Sequence, residues 1–127
     1  MADNLTDTVE NELLDALVGT ASYSITGATK LALVTAAGSD SAAGTEVTGG
    51  SYGRQTITWD AAASGAVTNA GTVSFTDMPT CTVVGIEIYD SNGTPKRLVH
   101  GTLTAPKSLV AGDTLQFAAG SIVITLG

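Results

Sequence analysis

The chain has 127 residues, 43% hydrophobic and 13% charged, with a net charge of -7; that length fits one domain with a modest core, and the charged share is well below the usual value of about 25%. Five bases, Lys30, Arg54, Lys96, Arg97 and Lys107, do not make the cationic cluster that phosphate binding needs, so nucleic acid is excluded as a partner. Cys81 is the single cysteine, which excludes an intrachain disulfide and a thiolate metal cluster.

The first element is a helix. In NLTDTVENELLDALVGT the apolar Val9, Leu13, Ala16 and Leu17 recur at helical spacing, and Leu14 and Val18 widen the stripe. Thr6 or Asp7 caps the start, Asp7 and Glu10 suit the positive end of the helix dipole, and Gly19 marks the stop, which predicts a helix over 7–18. Residues 1–19 hold Asp3, Asp7, Glu10, Glu12 and Asp15 and no base, so the acidic character is concentrated there. Such a helix either closes one end of the domain or docks on a neighbouring subunit through Val9, Leu13 and Leu17. The opening MADNLTDTVE has neither the basic start nor the long apolar run of a secretory signal. No apolar run of about 20 residues is present to span a bilayer. The expectation is a protein made and kept in a cytosol until assembly, with no membrane partner.

The remainder is rich in small residues, with 20 threonines, 18 alanines and 15 glycines, and alternates short β-patterned runs with turn clusters. Strands are predicted at 31–35, 55–59, 72–75, 83–89, 97–104, 114–117 and 122–126. Between the first two lies AAGSDSAAGTEVTGGSYGR, 36–54, whose length is uncommon for a connection without a role of its own. DSNGTP at 90–95 is the clearest turn, and it makes 83–104 the most secure hairpin. Within that hairpin Ile86 and Ile88 alternate with Glu87 and Tyr89, which reads as one buried and one mixed face. The last strand is apolar on both faces and wants cover on two sides. These patterns predict an all-β fold, an antiparallel sandwich of about seven or eight strands behind one N-terminal helix, divided as 1–19 and 20–127.

Catalytic chemistry is hard to assemble. His100, the only histidine, lies inside an apolar strand pattern and reads as a packed, surface or subunit-contact residue. GTASYS and AASGA lack the spacing of a nucleophile elbow. Cys81 has no basic neighbour in sequence and reads as a small buried hydrophobe. No EF-hand spacing occurs, and Asp60, Asp77, Asp90 and Asp113 fall at strand ends where they cap local backbone. The Gly-rich stretches lack a phosphate-loop lysine. No enzyme activity, cofactor or metal is expected. Trp59 reads as core. Tyr52, in the long loop, is the aromatic placed to meet a partner or a glycan.

From GTEVTGGSYGRQTITW at 44–59 the sequence resembles a family of small tailed-bacteriophage proteins labelled tail fibre or minor tail proteins. The likeness runs through GIEIYD at 85–90, is strongest over GTLTAPKSLVAGDTLQFAAGSIVITLG at 101–127, and includes ENELLDALVGT and KLALVTAA. This chain departs from it in ATKLALV and PTCTVVG, where relatives carry aromatics and Pro. The resemblance implies a virion structural protein, a homotrimer that binds other virion proteins, either tail components or the major capsid protein. It implies that Glu46, Tyr52 and Arg54 are contact residues beside those of the helix. Capsid decoration and a receptor- or glycan-binding module are the alternative readings.

Overall fold

The computed structural model describes residues 5–126. Helix α1 spans Asp7–Leu17. Thr6 is its cap: its backbone is extended and its Oγ1 accepts from the Val9 N–H at 3.4 Å, leaving Asp7 and Glu10 as the first-turn acids. Val18 ends the helix, and Gly19 follows at φ 82°, the left-handed conformation that favours glycine. The segment before the helix also joins the sheet, since Leu5 bridges Val99 and the Thr6 N–H donates to the Leu98 carbonyl at 3.1 Å.

The strands are β1 (Lys30–Ala36), β2 (Thr45–Glu46), β3 (Gln55–Thr56), β4 (Ala66–Thr68), β5 (Val73–Met78), β6 (Cys81–Tyr89), β7 (Arg97–Leu109), β8 (Asp113–Phe117) and β9 (Val123–Thr125). The larger sheet has the order β2-β1-β6-β7, with β3 pairing with β1 on the edge that β2 also uses. Two-stranded ribbons β4-β9 and β5-β8 complete the fold, and every pairing is antiparallel. Leu31, Leu33, Ile88 and Val99 of the larger sheet share one core with Val73, Phe75, Leu115 and Ile122. Each layer buries its apolar face on the other, the physical basis of a sandwich. The fold is the all-β class with one N-terminal helix that the periodicity predicts.

All seven predicted runs carry a strand, with changed bounds. The run 55–59 contracts to two residues, because the Ile57 N–H turns to the Thr29 carbonyl and Trp59 makes only a bridge to Asn69. Trp59 is half-buried against the core, and its Nε1 donates to Thr29 Oγ1 at 2.9 Å. The run 97–104 extends to Leu109 across a bulge in which Leu103, Thr104, Ala105 and Pro106 stand opposite Val84. A bulge tolerates the proline that a regular ladder would not. The unpredicted β2 and β4 are short and carry no apolar alternation. The hairpin of β6 and β7 turns at Asp90, whose carboxylate accepts the backbone N–H groups of Lys96, Asn92 and Thr26 at 2.8, 3.2 and 3.3 Å. The Lys96 bond above all, with the other two, holds the Asp90 carboxyl below its ordinary value against the cost of burial.

Asn69 ties the small ribbons to each other. It is fully buried; its Nδ2 donates to the carbonyls of Gly71 and Ala118 at 2.8 and 3.0 Å, and its Oδ1 accepts from the Ile122 N–H at 2.9 Å. Replacing it leaves the buried Ile122 N–H without its acceptor and takes a donor from each of the Gly71 and Ala118 carbonyls. Asn69→Ala is expected to lower the unfolding free energy by about 2 to 4 kcal/mol, read from the urea midpoint at unchanged slope. A midpoint equal to that of the wild type would show that this residue is not the tie.

Candidate partner-binding site

The registers Ala32↔Glu87 and Glu87↔His100 place these three residues side by side, so their side chains share one face of the larger sheet. Alternation alone assigns that row to a mixed face. The structure buries it, and Glu87 is 1% exposed. The reason is the first half of the long loop, which lies over the sheet. Glu87 Oε2 accepts from the Gly44 N–H at 2.8 Å and pairs with Arg97 Nη1 at 3.3 Å, while Oε1 accepts from the Tyr89 hydroxyl at 2.9 Å. Arg97 Nη2 reaches on to the Ser39 and Asp40 carbonyls at 2.6 and 3.4 Å. His100 Nε2 sits 2.7 Å from Asp40 Oδ1, and the Asp7 N–H at the start of α1 donates to the Asp40 carbonyl at 3.2 Å. Glycine is required in the covering loop, since a Cβ on Gly38 would overlap Glu87 Oε2 and one on Gly44 would overlap the Ala36 carbonyl.

The second half of the loop is held by a separate cluster. Arg54 engages both oxygens of Glu46, at 3.0 and 2.8 Å. The Tyr52 hydroxyl donates to Glu46 Oε2 at 2.7 Å and accepts from the Leu33 N–H at 2.9 Å. The Tyr52 ring stacks on Phe75 with centroids 5.9 Å apart, and the Arg54 guanidinium lies 3.7 Å from the centroid of the Tyr89 ring. Burial opposes ionisation of Glu46, but the hydrogen bonds from Arg54 and Tyr52 outweigh it and hold the carboxyl below its ordinary value. Burial first, and the Glu46 bond second, raise the Tyr52 hydroxyl. Burial and the bond to Glu87 push the Tyr89 hydroxyl up to about 12. Glu46, Tyr52 and Arg54 are thus brought together, bonded to one another and to their own sheet, with their outer atoms half-exposed.

The three helix residues lie on one stripe that is progressively uncovered. Val9 is 3% exposed, Leu13 is partly buried against the core, and Leu17 is 80% exposed. Leu14 and Val18 are exposed as well, and they complete a patch at the end of the helix. The signal for them was the width of the stripe, greater than one line of contact with a sheet can cover. At the far end of the chain Ile122 is buried, Ile124 is partly buried against the core and Val123 is exposed, so the last strand is covered on one side within the chain, and Leu126 at its end is exposed. Cys81 is half-buried, and desolvation raises its thiol.

The sequence matches the family model described as Podophage GP4 fiber I protein gp80 over residues 4–125. The chain belongs to that family. The match includes the helix and every strand, so the family unit is the whole folded body and not one sheet of it. A podophage fibre family makes this a bacteriophage virion structural protein, associated with other proteins of the particle, and bears out the resemblance to tail-fibre proteins. No curated protein matches the chain.

Two outcomes follow from this geometry. Removing the carboxylate in Glu87→Ala leaves Arg97 buried without its ion partner and the Gly44 N–H without an acceptor. It is expected to cost about 3 to 5 kcal/mol by chemical denaturation, whereas Lys96→Ala, which opens the half-exposed pair with Glu12, is expected to cost about 1 kcal/mol or less. In alkali, a hydroxyl raised in the folded state stabilises the fold below the unfolded tyrosine value of 10, and that contribution is lost as pH rises toward about 12. Unfolding free energy of the wild type should therefore fall from pH 10 upward by up to about 1.4 kcal/mol more per pH unit than that of Tyr89→Phe; equal slopes would contradict the assignment.

Proposed function

We propose that this chain is a fibre subunit that assembles as a homotrimer in the host cytoplasm and holds other virion proteins through α1 and the outer side of the 36–54 loop. The chain works as two parts, the helical segment 1–19 and the sandwich 20–127, fastened by Val9 and by the Thr6 and Asp7 backbone bonds. Leu17, with Leu13 beneath it, meets the partner, while Val9 anchors the helix to its own core. Glu46, Tyr52 and Arg54 present a loop that is already ordered before contact, which lowers the entropy lost on association.

The observation that carries this reading is the family match, which takes in the helix together with the strands. The thin charge of the sandwich supports it, since polar groups that are few cost little to desolvate when subunits pack closely. The test is a pair of measurements on the wild-type protein. Light scattering of the purified chain should give three times the subunit mass, and quantitative mass spectrometry of purified virions should find it at a few to several tens of copies. A lone monomer absent from virions would overturn the reading, and hundreds of copies per particle would replace it with capsid decoration.

A further inference from the structure

The stripe Val9, Leu13, Leu17 outlasts the surface on which it packs. Leu17 lies four residues beyond Leu13 and so points to nearly the same side, yet Leu13 touches the core and Leu17 does not. Leu14, at 59% exposed, stands three residues before Leu17 and four before Val18, which is 71% exposed. The last turn therefore extends past the domain as one apolar patch. A patch of this kind marks an interaction site, and charge indicates what covers it. Asp15, three residues before Val18, borders the patch, the last turn carries no base, and the carbonyls there hold the negative end of the helix dipole. The Asp15 carboxylate accepts only the Thr20 hydroxyl, at 3.1 Å. Asp7 and Glu10 extend the same sign toward the start of the helix, while Glu12 is paired with Lys96.

A second copy of the chain is poorly suited to this patch. Among the described residues Arg54, Lys96 and Arg97 are in ion pairs and Lys30 donates to Thr56. Lys107 alone among these bases has no side-chain partner, against Asp7, Glu10, Asp15 and the helix end. We infer that the last turn of α1 docks on a different virion protein, in an apolar groove edged by Lys or Arg, and that it is not the contact between copies of this chain. The inference rests on the fibre reading above and names the chemistry of the partner at the helix.

The experiment uses phage carrying Leu17→Asp, Asp15→Lys or Asp15→Asn in the gene for this chain, with incorporation into purified virions measured by quantitative mass spectrometry. Both positions are exposed, so the purified variants should melt at the wild-type temperature and keep the wild-type mass in light scattering. Leu17→Asp and Asp15→Lys are expected to lower incorporation about tenfold or more, and Asp15→Asn by less. Raising salt should release the wild-type protein from virions and should have less effect on Asp15→Asn. Wild-type incorporation of both Leu17→Asp and Asp15→Lys overturns the inference. A fall in oligomer mass in Leu17→Asp overturns it in favour of a second copy. Wild-type protein absent from virions instead overturns the fibre reading on which it rests.

Discussion

Glu87 and Arg97 are the pair from which the rest of the arrangement follows. A carboxylate taken out of water on a β-strand must meet a cation and fill its remaining lone pairs, or the strand could not be buried there. Arg97 supplies the cation, the Tyr89 hydroxyl and the Gly44 N–H supply the further donors, and Arg97 in turn needs acceptors for its remaining hydrogens. It finds them in the Ser39 and Asp40 carbonyls. The loop is pinned to the sheet because the charges require it to be there. The long connection that looked too extended to be idle is, in its first half, the lid over a buried ion pair.

The same constraint reaches the helix. Asp40 accepts the N–H of Asp7, and Thr6 bonds to the Arg97 carbonyl through its hydroxyl while capping α1 through the same oxygen. The start of the helix, the loop and the β6–β7 hairpin are therefore joined through Arg97 and its neighbours. Among the described residues no such tie lies beyond Leu13, and the helix leaves the domain with the apolar side of its last turn bare. A firmly held base and a free end is the geometry of a short arm, suited to a fibre subunit that must meet another protein of the particle without distorting its own fold.

What the sequence made legible were the features governed by neighbours in the chain. The cap, the acids of the first turn, the stripe and Gly19 all lie within a dozen residues, and the helix is where they put it. The β6–β7 hairpin follows from alternation and the DSNGTP turn in the same way, although neither Asn92 nor Gly93 takes positive φ and it is the Asp90 carboxylate that holds the turn. Glu87 was not legible, because a glutamate alternating with isoleucines has the pattern of a half-wet strand; its burial depends on loop residues more than 40 positions earlier. Glu46, Tyr52 and Arg54 were legible as a group, through the resemblance to fibre proteins. Their mutual bonding was not, since it requires the loop to close on β1 and bring Tyr52 under Leu33. The short strands β2 and β4, of two and three residues, have no periodicity to read.

Native-state hydrogen exchange of the backbone amides tests this account most directly, because it reports whether loop, helix start and hairpin open together. The account predicts that the Gly44 and Asp7 amides exchange with the same free energy of opening as those of Ile88 and Val99 in the hairpin. Exchange of Gly44 and Asp7 at a far lower free energy, with the hairpin still protected, would contradict it and leave the loop and arm as separate, loosely attached pieces.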